Sequence, residues 1–414
     1  MEYISGVAWG GFMKTGTRLP ANVFFVAAAL IIPLLAPVPG RADDDDDDFP
    51  MLVNSLDTAI LATHAVGSQS YISKNDTLSA LSHLKSGLFF SPEFSLQSEV
   101  TYEPLRSPLR MPHKQHYFSD EGLYLEQLYG KAELEDLMAY GGKFDLPVSL
   151  AANVAPGIFG GDYANDYQLR ELLGAGGALR FESTALGRHN FGIAGFARDT
   201  SWLDAAAFTQ PNFGSIDTAR TGRLHQGDGG TANTGSPQSL LLTLDGDGAA
   251  FGTRSTTYHL AWARLRHGVD STQNQIDMVA SVRHVSDLGE GFSLRPLIEV
   301  SRILHDGGTP LNGGTAVPAS QRADYLTTGL ELAWFGWSLS GVRAQRDLFE
   351  PQNGTGVDGR SSFQRMLTGA LGYAFECGLS TSVAWKHDHS LDPTGGLNAT
   401  TDSLGVLVNY HQDF

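Results

Sequence analysis

The chain has 414 residues, 48 glycines, one cysteine and a formal net charge of −17 at pH 7. That balance disfavours nucleic acid, whose phosphates call for basic partners. A single thiol, Cys377, excludes an intrachain disulfide, a thiolate metal cluster and a redox pair. Mean hydropathy is −0.14, and beyond residue 42 no apolar stretch approaches the ~20 residues of a membrane-spanning helix.

Residues 1–42 read as an export signal. Lys14 and Arg18 lead into the apolar run Val23–Val38, and Gly40-Arg41-Ala42 places small residues where a signal peptidase cuts. This segment carries Glu2 against Lys14, Arg18 and Arg41, a net of +2, which leaves the remainder near −19. Asp43–Asp48 follows as a solvated acidic run. Leu78, Leu81 and Leu84 recur every third residue within Asn75–Lys85, the spacing of a short helix, so residues 43–85 are expected to form a periplasmic leader.

From residue 86 onward, period-two alternation dominates. Glu93–Tyr102, Gly122–Lys131, Leu137–Phe144, Leu172–Ser183 and Arg188–Arg198 come first. Then follow Thr256–Arg266, Asn274–His284, Phe292–Leu304, Ala323–Trp334, Gly336–Arg346, Gln364–Phe375 and Gly378–Asp388, and Asp402–Phe414 closes the chain. Each is near the ~9–11 residues of a tilted transmembrane strand. Counting short and long connections from both ends leaves a mismatch between residues 199 and 256. Ser239–Leu244, followed by Asp245-Gly246-Asp247-Gly248, resolves it and brings the count to about 14, with 12 and 16 open.

One face of these segments is apolar: Ile276, Met278, Ala280 and Val282; Ile298 and Val300; Leu367 and Leu371; Val383 and Trp385. The other carries Glu99, Arg180, Glu182, Asp277, Arg283, Arg295, Glu299, Glu331 and Lys386, expected to line a wet lumen. A barrel this wide is not filled by its own side chains. The fold expected is therefore all-β: a transmembrane, antiparallel, up-and-down β-barrel.

In Asp402–Phe414, Leu404, Val406, Val408 and Tyr410 share a face and the chain stops on Phe414. This end resembles the last strand of Gram-negative outer-membrane barrels, which typically finish on Phe. Together with the export signal, the strands and a long loop at Asp199–Pro237, it resembles the porin family over about 325 residues. The resemblance implies passive diffusion of small hydrophilic solutes or ions through the outer membrane, with lipid and lipopolysaccharide outside, a homotrimer, no cofactor and no enzymatic activity. In general porins the third loop folds inward and narrows the barrel. By the fourteen-strand count that loop is Asp199–Pro237, with Asp199, Asp204, Asp217, Arg220, Arg223 and Asp228 at the constriction. The other reading is an outer-membrane enzyme or surface-binding barrel with a closed lumen. His387-Asp388-His389 is the densest histidine group and would suit a metal, but a hydrated rim suits it better, so no metal or catalytic residue is assigned.

Overall fold

The computed structural model describes residues 49–414 except 68–74, 105–114, 119–120, 184–186, 208–223, 249–254, 270–273, 307–320, 352–357 and 393–396. The export signal at 1–42 and the aspartate run at 43–48 lie outside the described residues. Among the described residues the chain forms one closed sheet of sixteen barrel strands. The first four are β1 (Met51–Gly67), β2 (Asn75–Phe89), β3 (Phe94–Pro104) and β4 (Glu121–Leu134). The next are β5 (Leu137–Leu146), β6 (Leu169–Ser183), β7 (Gly187–Arg198) and β8 (Ser239–Asp247). Then come β9 (Thr256–Leu265), β10 (Gln275–His284), β11 (Phe292–Asp306) and β12 (Gln321–Trp334). The wall ends with β13 (Trp337–Pro351), β14 (Asp358–Ala374), β15 (Leu379–Asp392) and β16 (Leu397–Asp413). Short pieces at Gln115–Tyr117 and Ser286–Gly289 pair with β2 and β11.

Each barrel strand pairs antiparallel with its neighbour in sequence, and β16 returns to β1 from Ser55↔Asp413 to Gly67↔Thr401. Closure leaves no edge, which is what lets a sheet sit in hydrocarbon. Phe414 is held by reciprocal backbone bonds with Asn54, both 2.9 Å, so the terminal strand is stitched at its last residue rather than frayed.

The expected leader and its short helix are corrected here. Residues 51–67 and 75–89 are paired along Met51↔Phe89 to Ala65↔Asn75. They add one hairpin to the fourteen expected strands. In β2 the leucine triplet is divided between faces: Leu78 and Leu84 point outward, while Leu81 shares the inner face with Thr77, His83 and Lys85. Hydrogen-bonding partners on both sides outweigh a weak three-residue periodicity.

The outer face is an apolar band, with Met278, Val282, Ile298, Val300, Leu330, Leu367, Leu371, Val383 and Leu404 all exposed. Where the connections are short, aromatic rings meet: Phe292 stacks on Trp334 at 5.2 Å, and Trp337 and Tyr373 lie 4.8 Å apart. Such a girdle marks a membrane interface. The turn at Phe335-Gly336 takes positive φ at both residues, 42° and 82°, as a two-residue hairpin requires. Arg343 is an exposed charge on this outer face, opposite Leu367 and Thr328, with a stem long enough to carry its head towards water.

Candidate pore constriction

Residues 147–168 do not stay at the rim; they cross the interior. Their sequence explains why. Val148, Ala151 and Ala164 are small or branched and completely buried, and they join Phe144, Leu172, Leu241 and Leu297 in one apolar cluster against the inner wall. Farther along, Phe159 seats among Val342, Ala344, Met366, Ala370 and Ala384, a socket of mostly small side chains. Gly405 keeps this seat open, since a Cβ there would lie 2.7 Å from the Phe159 ring.

Polar tethers hold the segment at both ends. The Glu299 carboxylate accepts hydrogen bonds from the Ser149 hydroxyl (2.5 Å), the backbone N–H groups of Leu150 (2.8 Å) and Ala151 (3.0 Å), the Tyr167 hydroxyl (2.6 Å) and Ser281. It thereby satisfies the first N–H groups of α1 (Ala151–Val154). His259 Nε2 lies 3.0 Å from the Val148 carbonyl. At the far side Lys386 Nζ donates to Asp162 (2.9 Å), Arg346 donates to Asp166 (2.8 Å), and Tyr163 donates to Asp388 (3.2 Å). Burial pushes the Asp162 and Asp166 carboxyls above their ordinary pKa, against the pull of Lys386 and Arg346.

With the segment laid along the wall from β9 to β16, open space remains beside β1–β4. A cavity of about 560 Å³ runs between Asn153 and Gln168 of the segment and Asp57, His83, Lys85, Glu99, Glu126 and Gln127 of the wall, with Asp145, Arg170 and Asn409 completing it. Two bulges aim carboxylates into it. Glu99 faces Gln127 and Val100 faces Leu125, so Glu126 is the extra residue and turns to the inner side. The register also shifts between Phe144 and Leu146, and Asp145 accepts the Glu171 N–H at 2.7 Å.

Of the expected lining residues, Glu99 lies at this passage. Asp277 and Glu299, both 1% exposed, and Lys386 lie on the inner wall away from it, the last two holding the crossing segment. Arg295 is paired to Glu331 at 2.8 Å beside a second cavity of about 640 Å³. Arg180 is paired to Glu133 at 2.6 Å towards the short-turn end, where Glu182 and Arg283 also lie on the inner face.

The expected constriction loop is corrected. The extra N-terminal hairpin makes 147–168 the third loop at the long-loop rim and 199–238 the fourth. Asp199 is fully buried against Lys143 (3.2 Å), and Asp204 accepts the Leu224 N–H (2.7 Å). The Ala207 N–H bonds to the Leu123 carbonyl and the Ala232 N–H to that of Arg266, so the described part packs on the rim of β4–β9. Asp217, Arg220 and Arg223 fall outside the described residues, as does the side chain of Asp228. His83, Lys85, Asp57, Asn153, Gln168 and Arg170 were not singled out from sequence. Alternation in β2 carries the signal for His83 and Lys85, whereas Asp57 lies in β1, where the alternation is blurred.

These features define a porin-type barrel: a closed wall, apolar outside and charged within, with its third loop folded into the lumen. No protein-family description matches the sequence and no curated protein is similar to it in sequence. Solved outer-membrane channels are similar in fold. OmpF from Salmonella typhi has a TM-score of 0.54 at 12% identity, over 87% of this chain and 97% of that one. DcaP of Acinetobacter baumannii has 0.51 at 8% identity, over 87% and 96%. OccAB3 of the same organism has 0.50 at 9%, over 88% and 99%.

Proposed function

We propose that this chain is an outer-membrane porin giving passive diffusion of small hydrophilic solutes and ions. The observation that carries this reading is the passage itself. A docked segment, held by hydrogen bonds of Glu299, His259, Arg346 and Lys386 of the wall and of Ser149, Asp162, Asp166 and Tyr167 of its own, leaves a polar cavity rather than a plug. The carboxylates of Asp57, Glu99 and Glu126 outnumber the permanent cations at it (Lys85, Arg170), which favours cations.

On this reading residues 1–42 are a cleaved signal, the short turns face the periplasm, lipid and lipopolysaccharide contact the outer band, and the mature chain assembles as a trimer. The alternative of a rim enzyme is disfavoured by alternation at His387-Asp388-His389. His387 faces outward and pairs with Asp402 (2.9 Å), whereas Asp388 faces inward to Tyr163 and Lys386. Single-channel recording of purified protein in a planar bilayer tests the proposal. Stable ohmic steps are expected; a silent bilayer with verified insertion would refute it.

A further inference from the structure

We propose that the wall of the passage holds a divalent-metal site, formed by His83 of β2, Glu99 of β3 and Glu126 of β4, that takes a first-row transition ion of the Zn²⁺ class. His83 Nδ1 lies 3.1 Å from Glu99 Oε1 and 3.8 Å from Glu126 Oε2, and the three ligand atoms all fall within 4.8 Å of one another. Metal–ligand bonds of ~2.0–2.1 Å in a tetrahedron set ligand atoms about 3.3 Å apart. The three side chains thus stand close to the spacing an ion would impose, with the fourth position open to the passage.

Three features distinguish this group from carboxylates scattered on a surface. Both carboxylates are buried, at 8% and 6% exposure, while His83 is partly open to the lumen, which supplies an entry path. Both carboxylates are oriented by neighbours: Thr101 Oγ1 donates to Glu126 Oε2, the oxygen that faces His83, at 2.5 Å, and Gln127 Nε2 donates from behind to Glu99 Oε2 at 2.8 Å. Glu99 Oε1 is thereby left for the ion. Such supporting bonds are what fixes a ligand set in metal sites. Finally, Glu126 reaches the group only because a bulge in β4 turns it inward; regular pairing would send it to the outer face with Leu128.

Lys85 Nζ lies 4.0 Å from Glu99 Oε1 and is the competing cation. At that distance, with its head half exposed, it is easily displaced by a dication bound through three atoms. An imidazole paired with two carboxylates suits Zn²⁺, Ni²⁺ or Co²⁺ better than Mg²⁺, which prefers oxygen alone. Bound at the passage, the ion would offset local negative charge and obstruct the opening.

The test uses tag-free, full-length mature protein. Isothermal titration with ZnCl₂ in detergent is expected to show one saturable site, absent with MgCl₂. In bilayers, Zn²⁺ is expected to reduce conductance reversibly, with recovery on adding EDTA. His83→Ala and Glu126→Gln, each normalised to its own metal-free conductance, should raise the half-blocking concentration at least tenfold; His387→Ala should not. Loss of block in His387→Ala, or block undiminished in His83→Ala, would overturn the assignment. So would an absence of saturable binding in the calorimeter. A protein that binds Zn²⁺ but never conducts would refute the channel reading and leave the metal site standing.

Discussion

Glu299 bears the concentrated polar load of the interior. Five donors converge on its two oxygens, four of them from the crossing segment. Replacing it by Ala would leave the Leu150 and Ala151 N–H groups and the hydroxyls of Ser149, Tyr167 and Ser281 without their acceptor. Each such loss costs about 1–3 kcal/mol, less where lumen water steps in. Glu299→Ala is therefore expected to loosen the segment without opening the wall. Heat-modifiable migration on gels should persist, because the ladder is untouched. Single-channel records should show larger mean conductance with rapid substates, and a quiet wild-type trace from this variant would remove Glu299 from its anchoring role.

The crossing segment has a pH response whose sign follows from Asp162 and Asp166. Docking takes both carboxyls partly out of water and raises their pKa, so the docked arrangement binds protons more tightly than the free one. Its stability is full below the ordinary carboxylate pKa and declines as pH rises through the raised values. Current noise from the segment is expected to be lowest in acid and to grow as pH rises through the raised carboxyl values. Asp162→Asn should flatten that dependence, whereas an undiminished slope would locate it elsewhere. This element is also the least legible in the sequence. Residues 147–168 have neither strand nor helix periodicity, and their inward path depends on contacts such as Phe159 with Gly405, far apart in sequence. The lumen face of β10, β11 and β15 was plain from alternation alone, since charges at Asp277, Glu299 and Lys386 interleave with bulky apolar residues. In β1 the alternation is blurred because Ala59 and Ala65 face inward while Thr58, Ala62 and His64 face outward. Reading residues 43–85 as a leader shifts the loop count by one and places the constriction in the following loop.

At the scale of the molecule, selectivity and closure are separable. The excess of the Asp57, Glu99 and Glu126 carboxylates over Lys85 and Arg170 at the passage predicts a reversal potential on the cation side under a KCl gradient. Glu99→Gln with Asp57→Asn should move it towards zero, and more so at low salt, where screening lengthens beyond ~10 Å; an unmoved potential would mean ions pass by another route. Closure depends instead on the first hairpin. β16 pairs with β1 over thirteen positions, and β2 carries the wall on to β3. Deleting residues 51–89 would leave β3 and β16 as open edges, fourteen strands whose termini must find a new register. Every unpaired backbone group in hydrocarbon costs several kcal/mol, so that rearrangement has a steep barrier. The truncated chain is expected to lose heat-modifiability and protease resistance in detergent, while a full-length chain carrying Leu78→Ser and Leu84→Ser, which keeps the ladder, should retain both. A truncated chain that inserted and conducted like the parent would show that the wall closes with fourteen strands, and that the first hairpin is an appendage to it.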